Sequence, residues 1–333
     1  MALNESMNKT NSQCTFNDTV DAYMYPTAYS LFFILGLPGN CLSLYVHIKQ
    51  ENELGVYLFN LALSDFFFIA GLPIWMDFEL KDHWHHGKTL CTVCIFFLFT
   101  NFYSSALLLS CISVDRYFAV VYPLSFPFLR KPSTAATVSV AVWTFTLMFN
   151  AISIDPNQIY DDQFKICLDV FPISSKQIKV YVVSFFVGFL LPAVVVMFCY
   201  WRICREVRTN QATGLSERRR VFRLLGSVLL SLCLCFGPVH ITMVLRAGLE
   251  NVDTCPPAWL YFLYKAGVAL AMLNCLADPL LYCFITRRGL YTMLTGSYKL
   301  PQASSLAGLM CRAHGLSSQC WLCEQHTLSS NQA

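Results

Sequence analysis

The segment IFFLFTNFYSSALLLSCISV, residues 95–114, decides the fold of this chain. It contains no charged side chain, and a helix needs about 20 mostly apolar residues to cross the hydrocarbon core of a bilayer. Asp115 and Arg116 follow it directly and mark the point where the apolar run reaches water. We therefore predict a membrane-spanning helix with this pair near one end.

Six further segments are also long and mainly apolar. Together the seven lie near residues 25–48, 54–80, 89–122, 134–154, 177–205, 219–248 and 257–285. Over the chain 56% of residues are hydrophobic and 13% are charged, whereas a soluble domain has about 25% charged residues. We predict an all-α membrane protein, a seven-transmembrane-helix bundle with a short amphipathic helix after the seventh helix. Prolines inside five segments indicate kinks, which neighbouring helices can accommodate: Pro38, Pro73, Pro192, Pro238 and Pro279.

The charges between the segments predict the orientation of the bundle. With seven spans, the Arg-rich loop between the fifth and sixth lies on the same side as Arg130 and Lys131. Because basic loops face the cytoplasm, we predict a multi-pass plasma-membrane protein with an extracellular N-terminus. Three glycosylation sequons agree with that orientation: Asn4, Asn8 and Asn17.

The chain divides into three predicted parts. Residues 1–24 form a glycosylated extracellular N-terminus, and residues 25–295 form the seven-helix domain. Residues 296–333 are rich in Ser, Gln and Gly and are predicted to be a disordered cytoplasmic tail.

Two carboxylates lie inside predicted spans. Asp65 ends the motif LALSD in the second span, and Asp278 lies in NCLADPLLY in the seventh. Charges at this depth are costly and usually functional. With Asn40 of the first span they could form a structural polar cluster, or a hydrated ion or proton site that rearranges during switching. The two interpretations are compatible.

The triplet Asp115, Arg116 and Tyr117 lies at the cytoplasmic end of the third span. Adjacent Asp and Arg residues at a membrane edge could form a simple solvated pair. The long apolar run before them favours a lock, in which Asp115 holds Arg116 at rest and releases it on activation.

Most of the 16 cysteines lie inside apolar runs, where cysteine behaves as a small hydrophobic residue. On the predicted outer side, where disulfides persist, Cys91 could pair with Cys167 and Cys14 with Cys255. The connectivity cannot be read from the sequence alone. Ligand patterns with zinc spacing do not occur, so we predict no metal site and no cofactor.

In order along the chain, several motifs resemble the rhodopsin-like family of G-protein-coupled receptors. They are Asn40, LALSD ending at Asp65, Cys91, Asp115-Arg116-Tyr117, Trp143, Pro192 with Tyr200, Cys235-Phe236-Gly237-Pro238 and Asp278-Pro279-Leu280-Leu281-Tyr282. The match covers about residues 20–295. It implies a receptor that passes an extracellular signal to a heterotrimeric G protein, with arrestin as a further candidate partner.

The resemblance also implies which residues form the switch. Arg116 would face the G-protein helix, while Tyr200 and Tyr282 would support the opened state. Phe236 occupies a position where many family members have Trp. The full predicted set for coupling and switching is Asp115, Arg116, Tyr117, Tyr200, Phe236, Pro238, Pro279 and Tyr282.

Within the family the chain is similar to the proton-sensing and lysolipid group. The similarity rests on residues 52–58, 102–105, 111–123 and 273–279. Proton sensors of this group typically carry Glu three residues after the Trp of the fourth helix. Here Thr146 takes that place, so one acid of the proposed acidic triad is missing.

Histidine titrates near physiological pH, which makes it a candidate sensor. His83, His85 and His86 cluster around Trp84 in the first extracellular loop, and His240 follows Pro238. The loop histidines could be ordinary surface residues, and His240 a satisfied core histidine. The sharper hypothesis is a pH sensor in which protonation makes or breaks pairs with nearby acids, together with Asp65 and Asp278. The nearby acids are Asp77, Glu79, Asp82 and those of the second loop.

A lysolipid or other anionic ligand is the alternative signal. Arg246 and Lys265, near the outer ends of the sixth and seventh spans, could bind its headgroup. They could equally be interfacial residues whose charges reach the membrane surface.

Other classes of protein fit less well. The sequence shows no nucleophile–base pair or phosphate loop, so we predict that the chain is not an enzyme. It lacks the repeats of a transporter, and nothing in it indicates a nucleic-acid partner. We expect membrane lipid, a G protein and a proton or lysolipid ligand as partners.

Overall fold

The computed structural model describes residues 21–50, 52–168, 173–209, 215–250 and 256–285. In this part of the chain, seven helices are long and apolar enough to cross a membrane. They cover Tyr23–His47, Glu53–Lys81, Gly87–Val121, Pro132–Ser153, Ser175–Arg208, Val221–Leu249 and Ala258–Pro279. The predicted seven-helix membrane fold is confirmed.

The spans consist of eleven α-helical segments. These are α1 Asp21–Leu31, α2 Leu37–His47, α3 Glu53–Lys81, α4 Gly87–Val121, α5 Pro132–Ser153, α6 Ser175–Phe185, α7 Leu191–Thr209, α8 Leu215–Ser231, α9 Gly237–Leu249, α10 Ala258–Met272 and α11 Asn274–Ile285. Single 3-10 and π-helical turns join some of them. Most predicted ends lie within a few residues of these bounds.

Three spans are interrupted by a π-helical turn. The turns are Phe32–Gly36 in the first span, Phe186–Leu190 in the fifth and Leu232–Phe236 in the sixth. Pro38, Pro192 and Pro238 lie two residues beyond them. Since the proline ring clashes with the carbonyl four residues earlier, a wider turn at that point relieves the clash. Three of the five prolines predicted to mark kinks therefore follow a π-helical turn, whereas Pro73 and Pro279 lie inside α-helices.

The loop between the fourth and fifth spans contains a short antiparallel hairpin. Its strands are β1, Tyr160–Asp161, and β2, Ile166–Cys167. A disulfide joins Cys167 to Cys91 at the start of the third span, which confirms the first predicted bridge. The hairpin is thereby fixed over the end of the bundle.

The third span is the axis of the bundle. In its most apolar window 72% of residues are buried, compared with 22% in the fourth span. The fourth span instead exposes large apolar side chains, including Val140 and Ile152. In a seven-helix membrane protein such surfaces face lipid.

Several predictions concern residues outside the described ranges. They are the sequons at Asn4, Asn8 and Asn17, the pair Cys14–Cys255, the amphipathic helix after the seventh span and the tail 296–333.

Candidate functional site

The first extracellular loop is held in place by Trp84. This side chain is fully buried, and its ring packs 5.5 Å from that of Trp75. Its Nε1 donates a hydrogen bond to Gly87 O at 2.9 Å, and its backbone N donates to Lys165 O at 2.6 Å. Because Trp84 points into the bundle, the histidines on either side of it lie nearer the surface.

Three basic side chains contact one carboxylate next to this loop. Asp77 Oδ2 lies 3.0 Å from His85 Nε2 and 2.9 Å from His86 Nε2. Asp77 Oδ1 lies 2.9 Å from Lys81 Nζ. We call Asp77, Lys81, His85 and His86 the outer cluster. His83 is not part of it, since its Nδ1 donates to the carbonyl of Lys81 at 2.6 Å.

The outer cluster also contains three side chains of the types that bind metal ions. Ligand atoms of Asp77, His85 and His86 all lie within 4.8 Å of one another. However, the Lys81 ammonium binds the same carboxylate and lies 3.2 Å from His85 Nε2. A second cation would be repelled there, so we assign no metal to this group.

The β1–β2 hairpin faces the first loop across a cleft of about 570 Å³. His83 and His85 line one side, and Asp162 and Lys165 line the other. Asp162 Oδ1 accepts hydrogen bonds from Lys165 Nζ at 2.7 Å and Tyr160 OH at 2.9 Å. The bond from Lys165, then that from Tyr160, lowers the pKa of Asp162 below its ordinary value. Asp162 is therefore an anion throughout the physiological pH range.

The two candidate headgroup cations are buried rather than directed to the membrane surface. Arg246 Nε and Nη2 donate to Glu250 at 2.5 and 3.1 Å, and its guanidinium lies 4.5 Å from the ring centre of Tyr264. Lys265 Nζ lies 4.6 Å from the ring centre of Tyr25. An anionic ligand would have to displace Glu250 to reach Arg246.

His240 lies deep in the bundle, with 1% of its surface exposed. Its Nδ1 donates to the Phe236 carbonyl at 2.8 Å, and its ring lies between those of Tyr103 and Phe189. Its Nε2 has no hydrogen-bond partner in the described part of the chain. The interpretation of His240 as a core histidine with satisfied hydrogen bonds therefore applies to Nδ1 but not to Nε2.

A polar core lies in the middle of the bundle, formed by Asp65, Asn101, Asn274 and Asp278. Asp65 Oδ1 accepts from Asn101 at 2.8 Å, and Asp278 Oδ2 accepts from Asn274 at 2.6 Å. The two carboxyl groups are close enough for the charge of each to affect the other. Their remaining oxygens have no donor among the described residues. Asn40 also lies at this level, where its Nδ2 donates to Cys275 O at 2.9 Å.

At the other end of the third span, Arg116 is held by two acids. Its Nε donates to Asp115 Oδ2 at 2.8 Å, and its Nη2 contacts the same oxygen. The same Nη2 donates to Glu53 Oε1 at 3.2 Å. We call Glu53, Asp115 and Arg116 the inner lock. The sequence predicts Asp115 as a partner of Arg116 but does not indicate Glu53, which is 63 residues away along the chain.

Three of the predicted switch residues make aromatic contacts between spans. Phe236 is fully buried at the end of the π-helical turn, with its ring 6.1 Å from that of Phe102. Tyr200 contacts Phe222 across the fifth and sixth spans, and Tyr117 contacts Phe198. The side chain of Tyr282 lies outside the described part of the structure.

Lys81 and Glu250 are two further site residues that do not belong to the predicted set. Both were detectable from spacing, since Asp77–Lys81 and Arg246–Glu250 are each four residues apart on a helix or at its end. Glu53 had no comparable signal, because its partner belongs to another helix.

Comparisons with known proteins agree with this geometry. Residues 39–282 match the family described as "7 transmembrane receptor (rhodopsin family)". Human G-protein coupled receptor 65 is 38% identical over 82% of this chain and 86% of its own length. Human G-protein coupled receptor 68 is 36% identical over 85% and 79%, and mouse lysophosphatidic acid receptor 6 is 31% identical over 82% and 83%.

Proposed function

This chain belongs to the rhodopsin family of seven-transmembrane G-protein-coupled receptors, and we propose that the signal it transmits is the extracellular proton. It is a multi-pass plasma-membrane receptor and not an enzyme. Its N-terminus, including the three sequons, faces outward, and the inner lock faces the G protein. This orientation follows from the basic loops.

The outer cluster is the observation that carries the proposal. With neutral histidines, the charges of Asp77 and Lys81 balance. Protonation of His85 and His86 adds two positive charges around a carboxylate already bound to an ammonium. Like charges at these distances repel, so acid destabilises the loop arrangement seen here.

Asp162 provides a second partner for the protonated histidines. It lies across the cleft from His83 and His85 and stays ionised in the pH range where histidine titrates. Attraction across the cleft would draw the first loop toward the hairpin, which Cys91–Cys167 ties to the third span. The charged and titratable groups that face this movement are Asp77, Lys81, His83, His85, His86, Lys88, Tyr160, Asp162 and Lys165.

The sign of the response follows from proton linkage. A titrating group favours the active state only if that state binds its proton more tightly, and the effect is then present at low pH and lost as pH rises. One pKa unit of difference corresponds to about 1.4 kcal/mol. A shift from 1:99 to 99:1 needs about 5.5 kcal/mol, or roughly four units, so several groups must contribute.

The polar core and the inner lock complete the transmission path in this proposal. Asp65 and Asp278 have no basic partner among the described residues, and one oxygen of each has no hydrogen-bond donor. These two oxygens could therefore accept a proton or a cation. Release of Arg116 from Asp115 and Glu53 would then open the cytoplasmic end to the G protein. Tyr200 and Tyr282 would support that opened state.

The test is a second-messenger assay between pH 6 and pH 8 without added lipid. His83→Phe, His85→Phe and His86→Phe, singly and combined, are expected to shift the midpoint to lower pH. His240→Phe tests the buried histidine in the same way. Thr92→Phe introduces the same phenyl side chain near the outer end of the third span without removing a titrating group. An unchanged midpoint in the combined histidine variant overturns the proposal.

A lysolipid is the second candidate signal, because one relative is a lysophosphatidic acid receptor. Against it, Arg246 is already neutralised by Glu250. If a lysolipid is the signal, lysophosphatidic acid should activate the receptor at constant pH 8, and Glu250→Gln should increase its potency. Activation by acid alone, with no response to lysophosphatidic acid at pH 8, favours the proton.

A further inference from the structure

A second cavity opens on the side of the bundle near the inner lock. It lies between the third, fourth and fifth spans and has a volume of about 290 Å³. Its wall is mainly aliphatic, with Val114, Val138, Val142 and Val195 among the lining residues. If a water molecule is taken to fill about 30 Å³, the cavity holds roughly ten heavy atoms.

The surroundings of the cavity show where an occupant would come from. Leu191, on its edge, is 57% exposed, and the neighbouring Val140 and Val194 are 64% and 50% exposed. These side chains belong to the lipid-facing surfaces of the fourth and fifth spans. An occupant therefore enters sideways from the bilayer.

Positive charge lies at the end of the cavity nearest the aqueous phase. Arg130, in the turn Pro127–Arg130, lines the cavity and is exposed, and the exposed Lys131 follows it. The Arg130 guanidinium makes a long hydrogen bond of 3.4 Å to Pro123 O. Its planar donor group suits phosphate oxygens. In the orientation proposed above, both residues face the anionic lipids of the cytoplasmic leaflet.

We propose that this cavity binds part of one acyl chain of an anionic phospholipid from the cytoplasmic leaflet, with the headgroup on Arg130 and Lys131. Apolar packing alone does not select a lipid, because the bilayer offers every chain an apolar environment. The headgroup charge therefore supplies the selectivity. Asp115 lines the same cavity, so the bound chain shares a wall with the inner lock. The inference rests on the proposed orientation but not on the proposed signal.

The experiment measures lipid retention by native mass spectrometry. The purified full-length receptor is exposed to equal amounts of phosphatidylserine and phosphatidylcholine with identical chains. Wild-type receptor is expected to retain one phosphatidylserine in preference. Arg130→Gln should reduce that preference about fivefold, the equivalent of about 1 kcal/mol for one basic residue near the surface.

Two substitutions on the fourth span separate the cavity from the general lipid surface. Val138→Phe fills the cavity and should abolish selective retention, whereas Val140→Phe adds the same bulk to the lipid-facing side and should leave it unchanged. Equal retention in these two variants overturns the proposal, as does equal binding of both lipids by wild type. If Val138→Phe fails to fold, the test rests on Arg130→Gln, which changes an exposed side chain. An unchanged preference for phosphatidylserine in that variant refutes the headgroup site. None of these results depends on acid activation.

Discussion

Replacing Glu53 by Gln is expected to raise the basal activity of the receptor. Glu53 Oε1 lies 3.2 Å from Arg116 Nη2, and it is the acid of the inner lock contributed by a different helix. Loss of its charge leaves Arg116 paired with Asp115 alone. The third span then loses an ionic contact with the start of the second span, and the state with Arg116 released becomes more populated.

The size of the effect follows from the distance and the exposure. At 3.2 Å and an effective dielectric constant of about 20, the gross attraction is about 5 kcal/mol. The two side chains are 21% and 14% exposed, so much of this attraction is offset by desolvation and screening. Because Asp115 remains bound to Arg116, we expect a net change of about 1 kcal/mol. This corresponds to roughly a fivefold rise in the active fraction.

The assay is basal nucleotide exchange on the G protein at pH 8, normalised to surface expression. Glu53→Asp is the matched control, since it keeps a negative charge at the helix N-terminus but is too short to reach Arg116 in the same way. Both variants should raise basal exchange, and Glu53→Gln should lower thermal stability more than Glu53→Asp, because it also loses the negative charge at the helix N-terminus. Unchanged exchange in both variants would refute the role of the pair. A rise in Glu53→Gln alone would assign the effect to the helix terminus.

Four further predictions concern the outer half of the receptor. Asp77→Asn removes the partner of His85 and His86 in the conformation seen here, so the acid-response midpoint should move to higher pH, by up to about one unit. Asp162→Asn removes the partner proposed for the active state and should move the midpoint to lower pH; shifts of the same sign in these two variants contradict the proposed exchange of partners. In Gly188→Ala the added Cβ would collide with His240 Nε2 and lie 2.9 Å from Tyr103 Cε1. This overpacking should lower the stability by about 1–3 kcal/mol, as measured by thermal unfolding. Gly248→Ala is the control, because the space around Gly248 is open. Cys91→Ser frees the hairpin from the third span and should reduce the acid response even in correctly inserted receptor, as measured by dose–response at matched surface expression.

The structure changes the interpretation of individual sensor candidates. Among the loop histidines, only His85 and His86 reach Asp77, because the buried Trp84 fixes the direction in which each neighbour points. Arg246 is enclosed by Glu250 and two tyrosines, so it is not an available headgroup site. Thr146 is fully buried in the fourth span, where the sequence analysis noted a missing acid. These contacts favour the outer cluster as the sensor.

The sequence by itself determined the number and approximate ends of the spans, the position of Asp115–Arg116 and the burial of Asp65 and Asp278. These properties depend on local composition, since bilayer thickness fixes the length of an apolar run and a charge at its end marks the interface. The motif order along the chain was also sufficient to indicate the family.

Only the tertiary structure decided which charges meet. The pairing of Glu53 with Arg116 depends on the relative position of two helices, and the grouping of His85 and His86 on Asp77 depends on how one loop folds around Trp84. The cavity near Asp115 exists only because three spans fit together with a gap between them. These contacts form or break when helices and loops shift by a few ångströms. The composition and spacing of residues along a single helix do not determine the positions of its neighbours that accurately.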